Sequence, residues 1–213
     1  MKTDDLISML ATGVEPVPRR AATRRLVFAL LAGVPLAAAL MLTEYGPRKD
    51  LVQALFWPML WVKVLYPLVI ACAAFVLVQR LSRPGARTGL AWIGLAAPVL
   101  LVWGMAAMAW TGASPDERMP LLMGKTWRSC AFSIAWIGLP VFVAALAALK
   151  GLAPTRPALA GAAAGALAGG AGAAVYAFHC PEMTAPFLAV WYLLGMLIPV
   201  AIGAAVGPRL LRW

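Results

Sequence analysis

The chain has 213 residues, of which 63% are hydrophobic and only 12% charged, with a formal net charge of +10 and a mean hydropathy of +0.85. So few charges cannot cover the surface of a soluble domain of this length. The basic excess is not a nucleic-acid signal, because no basic stripe with interleaved aromatics occurs and most Lys and Arg sit in short connectors between apolar blocks. The composition therefore describes an all-α polytopic membrane protein, with the lipid bilayer as its first partner and no direct contact with nucleic acid.

The opening segment, "MKTDDLISMLATGVEPVPRRAATRRL", is polar enough to stand outside the bilayer. Thr3 can cap a helix whose first turn holds Asp4 and Asp5, where negative charge suits the helix dipole. Leu6, Leu10 and Val14, with Ile7 and Met9, give that helix an apolar stripe. "EPVP" ends it, and a Pro/Arg linker leads to the membrane. An isolated helix of about 10 residues is marginal in water. It should fold against a partner groove, or lie on lipid or on the bundle. Because the first apolar block starts only after this segment, a cleaved signal peptide is not expected.

Six blocks reach the roughly 20 residues that cross a bilayer as a helix. They run from about Leu26 to Leu42, Phe56 to Val78, Leu90 to Trp110, Cys130 to Leu149, Pro157 to Phe178 and Phe187 to Val206. The domain plan is a head and linker over 1–25 and a six-helix transmembrane domain over 26–213 with a short C-terminal tail. Twelve of the 18 basic residues fall on one side of these spans and five on the other, with Lys63 inside a span. The richer side should be cytoplasmic, which puts both termini inside. Lys63 is expected to snorkel to the outer interface, and "SPDER" around Asp116 and Glu117 to form a solvated loop. The fifth block, "PALAGAAAGALAGGAGAAVYAF", is nearly all small residues, with Gly161, Gly165 and Gly169 four apart, which suits tight packing at the bundle centre.

The few reactive groups cluster on the outer side. His179 and Cys180 end the fifth span in "YAFHCPEMTAPF", and Cys130 opens the fourth in "GKTWRSCAF". Helices adjacent in sequence are usually neighbours, so the two cysteines can meet. Arg128 and Lys125 would favour a thiolate at Cys130. Three readings stay open: a structural Cys130–Cys180 disulfide, a redox- or metal-responsive thiol pair with His179 as a further soft ligand, and unrelated buried thiols. The spacing matches no recurrent zinc motif. Cys72, within the second span, reads as a small packing residue.

The opening "MKTDDLISMLATGVEPVP", the six spans, "WRSC" and "HCPE…F…WY" together resemble the NrsF-type integral-membrane anti-sigma factors, negative regulators of extracytoplasmic-function sigma factors. That resemblance implies that the N-terminal segment holds such a sigma factor at the inner face of a bacterial inner membrane, with Asp4, Asp5, Leu6, Ile7 and Leu10 as the contact residues. It also implies that Cys130 and Cys180 serve the response to metals or oxidants. No cofactor is expected. A small transporter is the main alternative, opposed by the lack of polar groups to line a path and of evident inverted repeats. Catalysis is disfavoured by a single histidine and the absence of a CxxC pair.

Overall fold

A computed structural model describes residues 3–12, 20–83, 85–86, 88–152 and 154–212. Among these the regular elements are helices. Helix α1 spans Thr3–Ala11, and most of the linker that follows it lies outside the described residues. The membrane domain is built from α2 (Ala21–Glu44), α4 (Pro58–Leu81), α5 (Ala91–Gly112), α7 (Trp127–Lys150), α8 (Pro157–Tyr176) and α10 (Leu193–Leu210). Each expected span overlaps one of six stretches long and apolar enough to cross a membrane; the fourth of these, Pro115–Lys150, starts well before the expected Cys130. Short helices α3 (Leu51–Ala54), α6 (Pro115–Met123) and α9 (Ala185–Phe187) occupy connectors, and α9 passes through a π-helical segment, Leu188–Tyr192, into α10.

Helix α8 is the axle. Its middle, Ala163 to Ala173, is continuously buried, and α10, α4 and α7 pack around it. The small residues make this possible, because each removed side chain lets a neighbouring backbone move in. A Cβ on Gly169 would stand 2.7 Å from the Met196 carbonyl of α10. On Gly170 it would stand 2.7 Å from the Pro67 carbonyl of α4, and on Gly172 2.7 Å from the Ile134 carbonyl of α7. The central-packing expectation for this helix is met.

The other five spans each carry a proline inside the helix: Pro35, Pro67, Pro98, Pro140 and Pro199. A proline removes one backbone hydrogen bond per helix, a defect that packed membrane helices accommodate. Helix α8 has proline only at its first position, where the missing N–H costs nothing. Helix α5 is peripheral, burying only Ala91 and Val102.

Three expectations are corrected. The segment around Asp116 and Glu117 is no loop: it forms α6, started by Ser114 and Glu117 in a reciprocal capping box. Lys63 does not snorkel, since its side chain is fully buried and its ammonium is engaged inside the protein. Cys72 is exposed on α4 rather than packed in the core.

The glycine contacts yield a prediction. Gly169→Val should lower the thermal stability of the purified protein by about 1–3 kcal/mol or more, as overpacking does. Gly104→Val on α5, where a Cβ meets nothing within 4 Å, should leave the melting temperature within about a degree or two, by the small effect expected at open sites. Melting followed by loss of the monodisperse chromatographic peak compares the two.

Candidate functional site

The connector from Ala177 to Thr184 is the point where most of one end of the bundle converges. Helix α8 closes with the Cys180 amide donating to the Tyr176 carbonyl at 3.1 Å, and Pro181 then prevents another turn. Cys180 is thereby directed into the protein and is fully buried. Cys130, in the first turn of α7, is also fully buried, and its amide donates to Thr126 at 3.0 Å. The two side chains are free thiols, both buried and close enough to act on each other electrostatically. The sequence expectation that the cysteines meet is met in the structure.

Above them sits Lys63. Its Nζ donates to the Cys180 carbonyl at 2.6 Å and to the Glu182 carbonyl at 2.7 Å, and lies 5.5 Å from the centre of the Tyr192 ring. A buried ammonium is costly unless it is paired and hydrogen-bonded. Here two carbonyls and an aromatic face take over its hydration shell. Lys63, not Arg128 or Lys125, is therefore the cation serving the thiol pair. The Arg128 guanidinium lies over the Trp127 ring at 5.2 Å.

Cys180 is held below the usual thiol range, first by the neighbouring Cys130 thiol and further by the charge of Lys63, against the opposing effect of burial. The Tyr192 hydroxyl is buried beside the Cys180 sulfur and makes no hydrogen bond of full geometry. Tyr192 ends the π-helical segment. The extra residue per turn in such a segment rotates the following side chain relative to an α-helix, a device common at functional sites.

Every neighbouring element is tied to the connector. The Arg48 amide, from the segment before α3, donates to the Phe178 carbonyl at 3.0 Å. Arg48 itself is buried and holds Asp50 through two bonds of 2.7 Å, which raise the arginine and lower the aspartate from their ordinary values. The Glu182 carboxylate accepts from the Lys125 amide at 2.7 Å and the Thr126 amide at 3.2 Å, capping α7 one turn before Cys130. The Thr184 hydroxyl donates to Leu121 of α6 at 2.7 Å, and the Trp191 indole to Leu122 at 2.9 Å.

His179 faces elsewhere. Its Nδ1 lies 2.8 Å from the Gly46 carbonyl, and its ring packs between Tyr45 and Tyr176 at 5.2 and 5.5 Å. Among the described residues, no group of three His, Cys, Asp or Glu side chains is placed to hold a metal. Glu182 stands beside His179 and Cys180 in the sequence and shares this site, whereas sequence reading missed Lys63, Arg48 and Tyr192 as parts of it. The one available signal was the charge of Lys63 within an apolar span, by the rule that intramembrane charges mark function.

The head residues Asp4, Asp5, Leu6, Ile7 and Leu10 all lie on α1 and are exposed. The Ser8 hydroxyl donates to the Asp4 and Asp5 carbonyls within the helix.

The architecture defines a six-helix membrane protein with a buried thiol pair at one end, preceded in the chain by a short, exposed amphipathic helix. The family model described as "Negative regulator of sigma F" matches residues 10–213, and the chain belongs to that family. It is 49% identical to the probable anti-sigma-F factor NrsF of Azospira oryzae and 45% identical to the anti-sigma-F factor NrsF of Caulobacter vibrioides. Each match covers the whole of both chains. No solved structure matches.

The causes acting on Cys180 give an expectation of direction. Both Cys130→Ala and Lys63→Met should move the pH at which Cys180 becomes reactive upward, since the neighbouring thiol and the lysine charge each favour its thiolate. Alkylation of the Cys180 peptide followed against pH by mass spectrometry reads both shifts. Equal profiles for Lys63→Met and the unaltered protein would remove Lys63 from the site's electrostatics.

Proposed function

We propose that the chain is a membrane anti-sigma factor that holds an extracytoplasmic-function sigma factor through α1 at the cytoplasmic face of a bacterial inner membrane. It releases that partner when Cys130 and Cys180 respond to a metal or an oxidant. The observation that carries this reading is α1 itself. Ile7, Met9 and Leu10 are 58%, 65% and 68% exposed. Nine residues with such a face are too few to be stable alone. An amphipathic helix of this kind suits an apolar groove on a protein partner, with Leu6, Ile7 and Leu10 as anchors and Asp4 and Asp5 at the rim. The relatives, named as anti-sigma-F factors, supply the class of that partner.

The basic-residue asymmetry supports a cytoplasmic head and an outward-facing thiol pair. An oxidant would take two electrons from the pair as the thiols join in a disulfide and lose two protons. A thiophilic metal ion would instead displace the protons and bind the sulfurs. Either event replaces the contact between the Cys130 and Cys180 thiols and alters the charge facing Lys63. Because α4, α6 and α7 are all tied to the same connector, that change is felt across the bundle. Such a signal can shift the head only as far as it distinguishes two states, and a coupling of about 1–3 kcal/mol is the usual scale.

Removing residues 2–12 should abolish recovery of a sigma factor from native membranes through a tag on this protein while leaving membrane insertion intact. Persistent recovery would show that the head is not the output. Replacing both Cys130 and Cys180 by Ser should keep repression and eliminate induction by cadmium or peroxide. A full response in the double variant would remove the thiol pair from sensing.

A further inference from the structure

The thirteen residues between Glu44, where α2 ends, and Pro58, where α4 begins, join two helices long and apolar enough to span a membrane. This connector therefore lies at the bilayer boundary of the thiol end. One side of it is fixed to the protein. The Gly46 carbonyl stands 2.8 Å from His179 Nδ1, and the Arg48 amide donates to the Phe178 carbonyl at 3.0 Å. Gly46, with φ of +71°, turns the chain out of α2 in the left-handed conformation that favours glycine. Arg48 and Ala54 are buried, and the Arg48 guanidinium lies over the Trp57 ring at 5.8 Å.

The other side is apolar and open. Val52 is 74% exposed and Phe56 82%, and Leu55 and Trp57 beside them are exposed as well. Leaving such groups in water is unfavourable, and a connector that ran through water would not gather them on one short segment. The patch is continuous with the lipid-facing surface of α4. Trp61, Leu65 and Leu68 are exposed at i, i+4 and i+7 along that helix. The Trp61 indole donates to the Leu55 carbonyl at 3.0 Å, which joins the connector to that stripe. An exposed tryptophan ring with its N–H turned to a backbone group at a helix end marks the headgroup level of a bilayer.

We propose that the segment Leu51–Trp57 is inserted into the phospholipid leaflet at the thiol end, with Val52, Leu55 and Phe56 among the upper acyl chains and Lys49 at the level of the phosphates, and that this insertion holds the connector down on the segment that carries Cys180. Short amphipathic segments lie in the interface in this way, with their apolar face a few ångströms into the acyl boundary. The exposed lysine beside the patch reaches the headgroups by the usual extension of its stem. Because the same connector is bonded to Phe178 and faces His179, lipid on one side of it and the thiol-bearing segment on the other share one piece of backbone. The inference stands apart from the regulatory reading, since it needs neither α1 nor a signal at the cysteines.

The test uses the full-length protein in vesicles of phosphatidylethanolamine and phosphatidylglycerol. In a Cys72→Ala background, a nitroxide is attached in turn to Val52→Cys, Phe56→Cys and Lys49→Cys, all at exposed positions where the fold is not threatened. The background protein without an added cysteine gives the signal from Cys130 and Cys180. Power-saturation EPR reads the collisions of each label with oxygen and with a water-soluble nickel chelate. Labels at positions 52 and 56 are expected to favour oxygen severalfold, and the label at position 49 to favour the chelate. Preference for the chelate at position 56 places the segment in water and overturns the proposal. Shielding of position 56 from both reagents assigns the patch to a protein surface, such as a second copy of this chain, and overturns it as well. The hold on the connector is tested with Val52→Ser combined with Phe56→Ser. This variant should raise the rate of Cys180 alkylation in the same vesicles severalfold, followed by mass spectrometry of the Cys180 peptide, and match the unaltered protein in detergent. Equal rates in vesicles overturn the claim that the leaflet holds the connector in place.

Discussion

The near absence of side chains along α8 is the constraint on which the rest of the structure depends. Lipid tails are as apolar as leucine, so hydrophobic burial does not drive membrane helices together. Close backbone approach does, through dispersion contacts made at many points. Gly169, Gly170 and Gly172 bring the backbones of α10, α4 and α7 against one helix from three directions. With those three fixed, the connectors at both ends have little freedom in where they fall. The thiol pair exists because α7 and α8 are held close along their length. Cys130 opens one helix and Cys180 follows the other at the same end.

The second determinant is the buried charge of Lys63. Removing an ammonium from water costs several kcal/mol even after the protein relaxes. Two backbone carbonyls of a single connector and the face of Tyr192 offset that cost. The arrangement is therefore specific in a way that apolar packing is not. The connector must adopt the one path that presents the carbonyls of both Cys180 and Glu182 to the same nitrogen. Pro181, between them, stiffens that path. The π-helical segment that follows delivers Tyr192 to the same spot. A group that alters Cys180 thus acts on a site where charge, backbone path and helix geometry are mutually dependent, which is the property a switch requires.

The six spans were legible in the sequence because apolar length alone decides them, and the central place of α8 because its small residues have one physical use. The meeting of Cys130 and Cys180 was legible from topology, since consecutive helices lie side by side. Lys63 was misjudged because a lysine in an apolar span has two solutions, and the sequence does not say whether carbonyls are available to receive it. The carbonyls belong to residues more than a hundred positions away. Helix α6, where a solvated loop around Asp116 and Glu117 was expected, has a local cause: Ser114 and Glu117 cap it, and Pro115 stands at the first helical position, which favours a helix. Glu182 was visible as a neighbour of Cys180 but not as the cap of α7, and Arg48 gave no signal, because each acts through backbone or helix-end contacts formed only after folding.

One helix joins the two ends. Lys63 lies in the second turn of α4 and Arg80 in its last, about 25 Å apart at the helical rise per residue. The first holds the thiol connector, and the second donates to the Thr88 carbonyl in the connector to α5. Between them α4 packs on α8 through Pro67 and Ala71, which face Gly170. A packed helix does not bend continuously to small forces; it moves between discrete packings. If α4 has two such packings, the state of the thiol pair biases it through Lys63 at one end. Thermodynamic linkage then makes the effect reciprocal. A partner that favours the packing of the reduced pair binds less tightly once the pair has reacted, by the same factor with which it resists the reaction.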